Sequence, residues 1–257
     1  MSENTTKLSV KEKIGYGLGD TASHFVWDMV GFWILIFYTD TFGISAAAAG
    51  TIMLIARFWD MVSDPIMGVI ADRTNTRWGK FRPYLLWMAL PYSVLAVLAF
   101  STPDIGPTGK VIYAGITYLL LMTVFTAINL PYSSLGAVMT SDSYERAGLN
   151  SYRFIFAFVG QFIVTGTALY LASYFGKGDN AKGYQYTLML FAAISFVLFI
   201  ITFKTTKERV KPPAEQQKNL KQDLKNLFRN RPWVILLFVG IVSFVMFALQ
   251  NLSIAYY

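Results

Sequence analysis

The residues best placed to do chemistry stand in one apolar run, IARFWDMVSDP at 55–65, and are Arg57, Asp60 and Asp64. On a helix, positions three and four apart share a face, so these three project together. An ionised side chain at bilayer depth costs about 2.5–3.5 kcal/mol on insertion scales. Two carboxylates roughly 6 Å apart repel by about 3 kcal/mol at an effective dielectric near 20. One arginine neutralises one of them and leaves a charge over. The pair therefore calls for a proton or a bound cation, and Asp60 and Asp64 read as a cation site. The competing reading is an Arg57–carboxylate pair that only joins helices.

Other polar residues interrupt apolar runs in the same way. Asp20, His24 and Asp28 recur every four residues, a stripe along one helix face. Asp20 is either wet at the membrane interface or part of that stripe; Asp28 lies too deep for the first option. His24 either titrates near neutrality or is a hydrogen-bonding helix contact. Thr126 and Asn129 precede Pro131, and a proline there frees a carbonyl that can line a cavity or coordinate an ion. Arg153 opens the next run. It either snorkels to the inner surface or turns inward to meet an aspartate or a substrate oxygen. Gln161 carries no signal of its own.

The elements that must position these groups are membrane helices. Of 257 residues, 54% are hydrophobic and 14% charged, against about 25% charged in soluble domains. Apolar runs fall at about Gly15–Phe42, Ala49–Ala71, Tyr84–Ser101, Val111–Met139, Phe154–Phe175, Thr187–Phe203 and Val234–Tyr256. Most of the 22 lysines and arginines flank these runs on one side, where Lys7, Lys11, Lys13, Arg73, Arg77, Lys80, Arg82 and the basic stretch after Lys204 lie. Only Lys110, Lys177 and Lys182 sit on the other. The positive-inside rule then places the amino terminus in the cytoplasm. The net charge of +7 is thereby a matter of topology and implies no nucleic-acid partner. The absence of cysteine excludes disulfides and thiolate chemistry, and a single histidine excludes a histidine-rich metal site. No HExxH, nucleophile–base pair or cofactor loop is present, which argues against an enzyme and against a cofactor. Met1 to Lys13 has no apolar core, so no cleavable signal peptide is expected.

The domain reading is a six-helix transmembrane bundle at 1–204, a basic cytoplasmic linker at 205–232 and the first helix of a second bundle at 233–257. Within the linker, Leu220, Leu224, Leu227 and Phe228 are expected on one face of a short amphipathic helix. Such a bundle, linker and new span is how many transporters join two halves.

Gly68-x-x-x-Asp72 followed by Arg73, Arg77 and Lys80 is similar to the inner-loop signature of major facilitator transporters. GYGLGD (15–20), YTD (38–40), RFWDMVSDP (57–65), RWGKFRP (77–83) and NLPY (129–132) resemble the glycoside–pentoside–hexuronide:cation symporters. The resemblance runs along the whole chain and covers about the first half of a twelve-span transporter. It implies an all-α, major-facilitator-type bundle that symports a glycoside, pentoside or hexuronide with H⁺ or Na⁺ across a bacterial inner membrane; a passive facilitator is the alternative. Asp60 and Asp64 would hold the ion, as metal ligands if it is Na⁺, with Ser63 and Thr126 beside them. Some members carry an asparagine where Ser63 stands; serine is the weaker ligand, which favours H⁺. His24, Asp28, Asn129, Arg153 and Asp20 would face the sugar. The galactoside clamp of the family, aligned without gaps, falls on His24, Asn129, Ser133 and Arg153, and three of these four differ. Asp72, Arg73 and Arg77 would latch helix ends and release on rearrangement. The partners implied are a small sugar, membrane lipid and a missing carboxy-terminal bundle.

Overall fold

A computed structural model describes residues 7–210 and 229–254. Helix α1 (Val10–Ile36) runs into a π-helical turn, Phe37–Thr41, and is followed by α2 (Ala46–Arg73), α3 (Arg82–Trp87) and α4 (Ala89–Ala99). Then come α5 (Pro107–Met139), α6 (Ser143–Gly176), α7 (Asn180–Thr205) and α8 (Arg231–Ile254). Five of the helices, α1, α2, α5, α6 and α7, are long and apolar enough to cross a membrane. α3 and α4 act as one further rod, because the Met88 N–H donates to Tyr84 and the Tyr92 N–H to Met88, both at 2.9 Å. The described residues contain no strand, only an isolated bridge between Thr76 and Gly79.

The helices start earlier than hydropathy marks. α6 begins at Ser143, where the apolar run begins at Phe154, because polar caps extend the helices into the interface. Ser9 and Glu12 form a reciprocal capping box at α1, and the side chains of Ser45, Asp142 and Asp179 cap α2, α6 and α7.

Packing divides the chain into two units, 1–211 and 212–257. The second contributes α8, a continuous apolar helix. The amphipathic helix expected around Leu220–Phe228 lies outside the described residues. In the first unit α1 packs on α6 and α7, α2 on α5, and α4 on α5 and α7. The alternating glycines of GYGLGD make the α1 contacts possible. A methyl group at Gly15 would overlap Thr205 of α7, one at Gly17 would overlap Phe156 of α6, and one at Gly19 would overlap the Tyr132 ring of α5. Three glycines thus let α1 approach three helices at once. Tyr16 and Tyr132 lock the α5 side by bonding reciprocally, the Tyr132 hydroxyl to the Tyr16 carbonyl at 2.5 Å and the Tyr16 hydroxyl to the Tyr132 carbonyl at 3.3 Å.

One end of the bundle is stitched by charge. Lys13 of α1 pairs with Glu145 of α6 at 2.8 Å, and Glu12 with Arg209 beyond α7 at 2.7 Å. Glu208 accepts the backbone N–H groups of Lys80, Phe81 and Arg82 at 2.8, 2.8 and 2.9 Å. Gly79, at φ +113°, makes room for that carboxylate, which a Cβ would meet. The basic loops therefore share an end with the start of α1.

Candidate functional site

The first group of site residues lies between α2 and α5. The Thr126 hydroxyl donates to Oδ1 of Asp64 at 2.9 Å. One turn earlier on α2, Asp60 is partly buried, and its Oδ1 is enclosed with no hydrogen-bond partner among the described residues. Arg57 approaches the other oxygen of Asp60 only to 3.7 Å, and its side chain is two-thirds exposed. A helix-joining ion pair would leave Asp60 Oδ1 unsatisfied, at a desolvation cost of about 1–3 kcal/mol or more for a charged group. Oxygen ligands of this kind suit a proton or a hard cation. Ser63 is buried, and its hydroxyl bonds back to the Asp60 carbonyl at 3.5 Å, away from the carboxylates. Asn129 joins Asp64, Thr126 and Ser133 around a cavity of about 250 Å³. Among the described residues no three His, Cys, Asp or Glu side chains gather to hold a metal ion.

The second group lies between α1 and α6. Arg153 donates Nε–H to Asp20 Oδ2 at 2.7 Å and a second N–H to Oδ1 at 3.3 Å, a bidentate pair. The guanidinium also lies over the Tyr132 ring, 5.0 Å from its centroid. Arg153 turns inward and does not snorkel. Asp20, His24 and Arg153 line a cavity of about 340 Å³ with Asn150, Phe158 and Gln161. That volume is within the range of small-ligand pockets. Asp28 does not line it. It is buried beneath His24, whose Nδ1 lies 2.9 Å from Asp28 Oδ2.

The geometry separates residues that the sequence grouped together. Asn129 and Ser133 lie with the α2 carboxylates, and the first-helix carboxylate that meets Arg153 is Asp20, four residues before His24. Sequence reasoning does not single out Gln161 and Asn150, although Asn150, Arg153, Ala157 and Gln161 recur at helical spacing and define the cavity face of α6. At the inner loop Asp72 pairs with Lys80 at 2.8 Å, while Arg77 stacks 4.5 Å from the centre of the Trp78 ring. Arg73, in the last turn of α2, forms no ion pair with Asp72 or any other carboxylate among the described residues. Glu208 also escapes a reading of the sequence, since nothing in a charged linker marks which carboxylate folds back.

Helices long and apolar enough to cross a membrane, with two carboxylates one turn apart on α2 facing α5, one of them partly buried, and a polar cavity between α1 and α6, define a polytopic membrane protein. The sequence matches the family described as MFS/sugar transport protein over residues 15–257, and the chain belongs to that family. It is 42% identical over 250 residues to the Inner membrane symporter YicJ of Escherichia coli, covering 97% of this chain and 54% of that protein. It is 46% identical over 231 residues to the Putative glycoside/cation symporter YagG of the same organism, covering 90% and 50%. It is 39% identical over 234 residues to the Isoprimeverose transporter of Lactiplantibacillus pentosus, covering 90% and 49%. The chain spans about half the length of these relatives. The names of these relatives are of the kind that the motifs resembling glycoside–pentoside–hexuronide:cation symporters lead one to expect.

Proposed function

We propose that this chain forms the amino-terminal half of a secondary active sugar transporter of a bacterial inner membrane, with its amino terminus in the cytoplasm. Asp60 and Asp64 bind the coupling H⁺ or Na⁺, and Thr126 holds Asp64 in place. The sugar enters the cavity walled by Asp20, His24 and Arg153. It is a glycoside, pentoside or hexuronide, a reading supported by the glycoside and the isoprimeverose in the names of two relatives. Alternating access rocks this bundle against a second one supplied by the rest of the protein, and the Asp72–Lys80 and Glu208 contacts brace its inner end.

The observation that carries this reading is the enclosed, unpartnered Oδ1 of Asp60 beside a second carboxylate. A passive pore has no need of a dry, uncompensated carboxylate oxygen, whereas a coupling site gives it a proton or an ion in each cycle. The test is uptake of isoprimeverose, methyl β-xyloside, glucuronate and melibiose by energised vesicles containing the full-length protein. At least one sugar is expected to accumulate above the outside concentration and to leak out when the ion gradient is collapsed. Equilibration without accumulation, for every sugar that enters, would establish a facilitator instead.

A further inference from the structure

Asp28 is nearly inaccessible, at 4% exposure, yet it touches the cavity through one contact. Its Oδ2 lies 2.9 Å from Nδ1 of His24, and His24 lines the cavity while Asp28 does not. An ionised carboxylate can only accept a hydrogen bond, so the proton of that bond sits on Nδ1. In a neutral imidazole this leaves Nε2 as a bare lone pair at the cavity wall. The ring cannot readily drift from this position, because α6 passes close beneath it: a Cβ at Gly160 would stand 3.1 Å from the His24 Cβ.

The polar balance of the cavity shows what such a lone pair would do. Sugar hydroxyls both donate and accept. The Asp20 carboxylate already accepts two bonds from Arg153, whose guanidinium offers only donors. Acceptor capacity among the polar residues lining the cavity is then limited to the remaining lone pairs of Asp20, the amides of Asn150 and Gln161 and the His24 ring. The charged groups around the ring are Asp20 and Arg153, which neutralise each other, and Asp28 itself. Tyr92 of α4 is fully buried nearby and donates its hydroxyl to the Ser23 carbonyl at 3.3 Å.

We propose that Asp28 is a positioning residue that fixes His24 as the Nδ1–H tautomer, so that Nε2 accepts a hydrogen bond from a sugar hydroxyl. The tautomer stands on the geometry alone; its use by a sugar rests on the cavity being the sugar site.

The two parts have separate tests. In full-length protein labelled with ¹⁵N-histidine, the His24 signal is identified by its loss in His24→Gln. Its Nδ1 is expected protonated and its Nε2 bare at pH 7.5. Asp28→Asn, which keeps an acceptor, should preserve that pattern, and Asp28→Leu should shift it toward the Nε2–H form. An Nε2–H ring or an imidazolium in the unsubstituted protein, or an unchanged spectrum in Asp28→Leu, would overturn the proposal even if no sugar binds. The second test uses isoprimeverose, or whichever sugar of the panel above the protein accumulates. Asp28→Leu is expected to raise its KM about tenfold, the loss of one good hydrogen bond. His24→Gln places an amide oxygen near Nε2 and should stay within about threefold. In the His24→Gln background Asp28→Leu should add nothing. An equal KM penalty from Asp28→Leu in both backgrounds would mean that Asp28 is merely structural.

Discussion

Thr126 and Asp64 share a 2.9 Å hydrogen bond between α5 and α2, while Asp60, one turn away, has an enclosed oxygen with no hydrogen-bond partner among the described residues. The two carboxylates therefore face different surroundings: one accepts from a hydroxyl donor, and the other has an oxygen left without one, which on the proposed reading takes the proton or ion. The asymmetry makes Thr126 testable independently of the aspartates. Thr126→Val removes the donor and keeps the shape. It is expected to weaken apparent cation affinity about three- to tenfold, roughly one hydrogen bond to a charged group, with little change in sugar KM at saturating cation. Titrating the coupling ion at fixed sugar checks this.

Arg153 and Asp20 form the other pair, with side-chain exposures of 23% and 11%. Breaking it from either side leaves a mostly buried charge without a partner, which we expect to cost about 2–3 kcal/mol after allowance for partial exposure. Asp20→Asn and Arg153→Gln should each lower thermal stability in detergent and abolish transport. The double variant should regain most of the stability and none of the transport. Thermal shift and vesicle uptake on the three proteins read both effects.

Glu208 gathers three backbone N–H groups from Lys80, Phe81 and Arg82. Glu208→Ala should reduce stability by about 2 kcal/mol, since bonds to a charged acceptor are the stronger kind but are not additive. Gly79→Ala should do at least as much, because the residue sits at φ +113° and its new methyl meets the same carboxylate. Sugar KM in the cold should be unchanged in both, as neither residue lines the cavities.

The α1 glycines make a packing prediction. Gly17→Val would push Phe156 and α6 away from α1, and with them the Asp20–Arg153 pair. The expected outcome is protein that inserts but fails to bind sugar, whereas Gly31→Val, where a Cβ meets nothing within 4 Å, should be silent. Surface expression and sugar-binding isotherms check this contrast.

Much of this is legible in the sequence, for physical reasons. Hydropathy locates membrane helices because lipid imposes one rule on every span, and charged residues inside them stand out against that rule. Asp60, Asp64 and Asp28 are therefore visible from their positions in the apolar runs, and Arg153 stands at the edge of one. Their partners are not visible in this way. Asp20 could be interfacial or buried, and only the approach of α6 to the α1 glycines shows that it meets Arg153. Hydropathy places the helix starts too late because caps such as Asp142 continue a helix through polar residues that it discounts. Gln161 and Glu208 break no local pattern, and their roles arise from contacts far along the chain.

The central claim is that Asp60 and Asp64 couple the ion to the sugar. It is tested most directly by comparing gradient-driven accumulation with sugar exchange at equal concentrations in vesicles holding the full-length protein, either unsubstituted or as Asp60→Asn or Asp64→Asn. The account predicts that each substitution abolishes accumulation while exchange continues at a measurable rate. Accumulation at the unsubstituted level in both variants would contradict it.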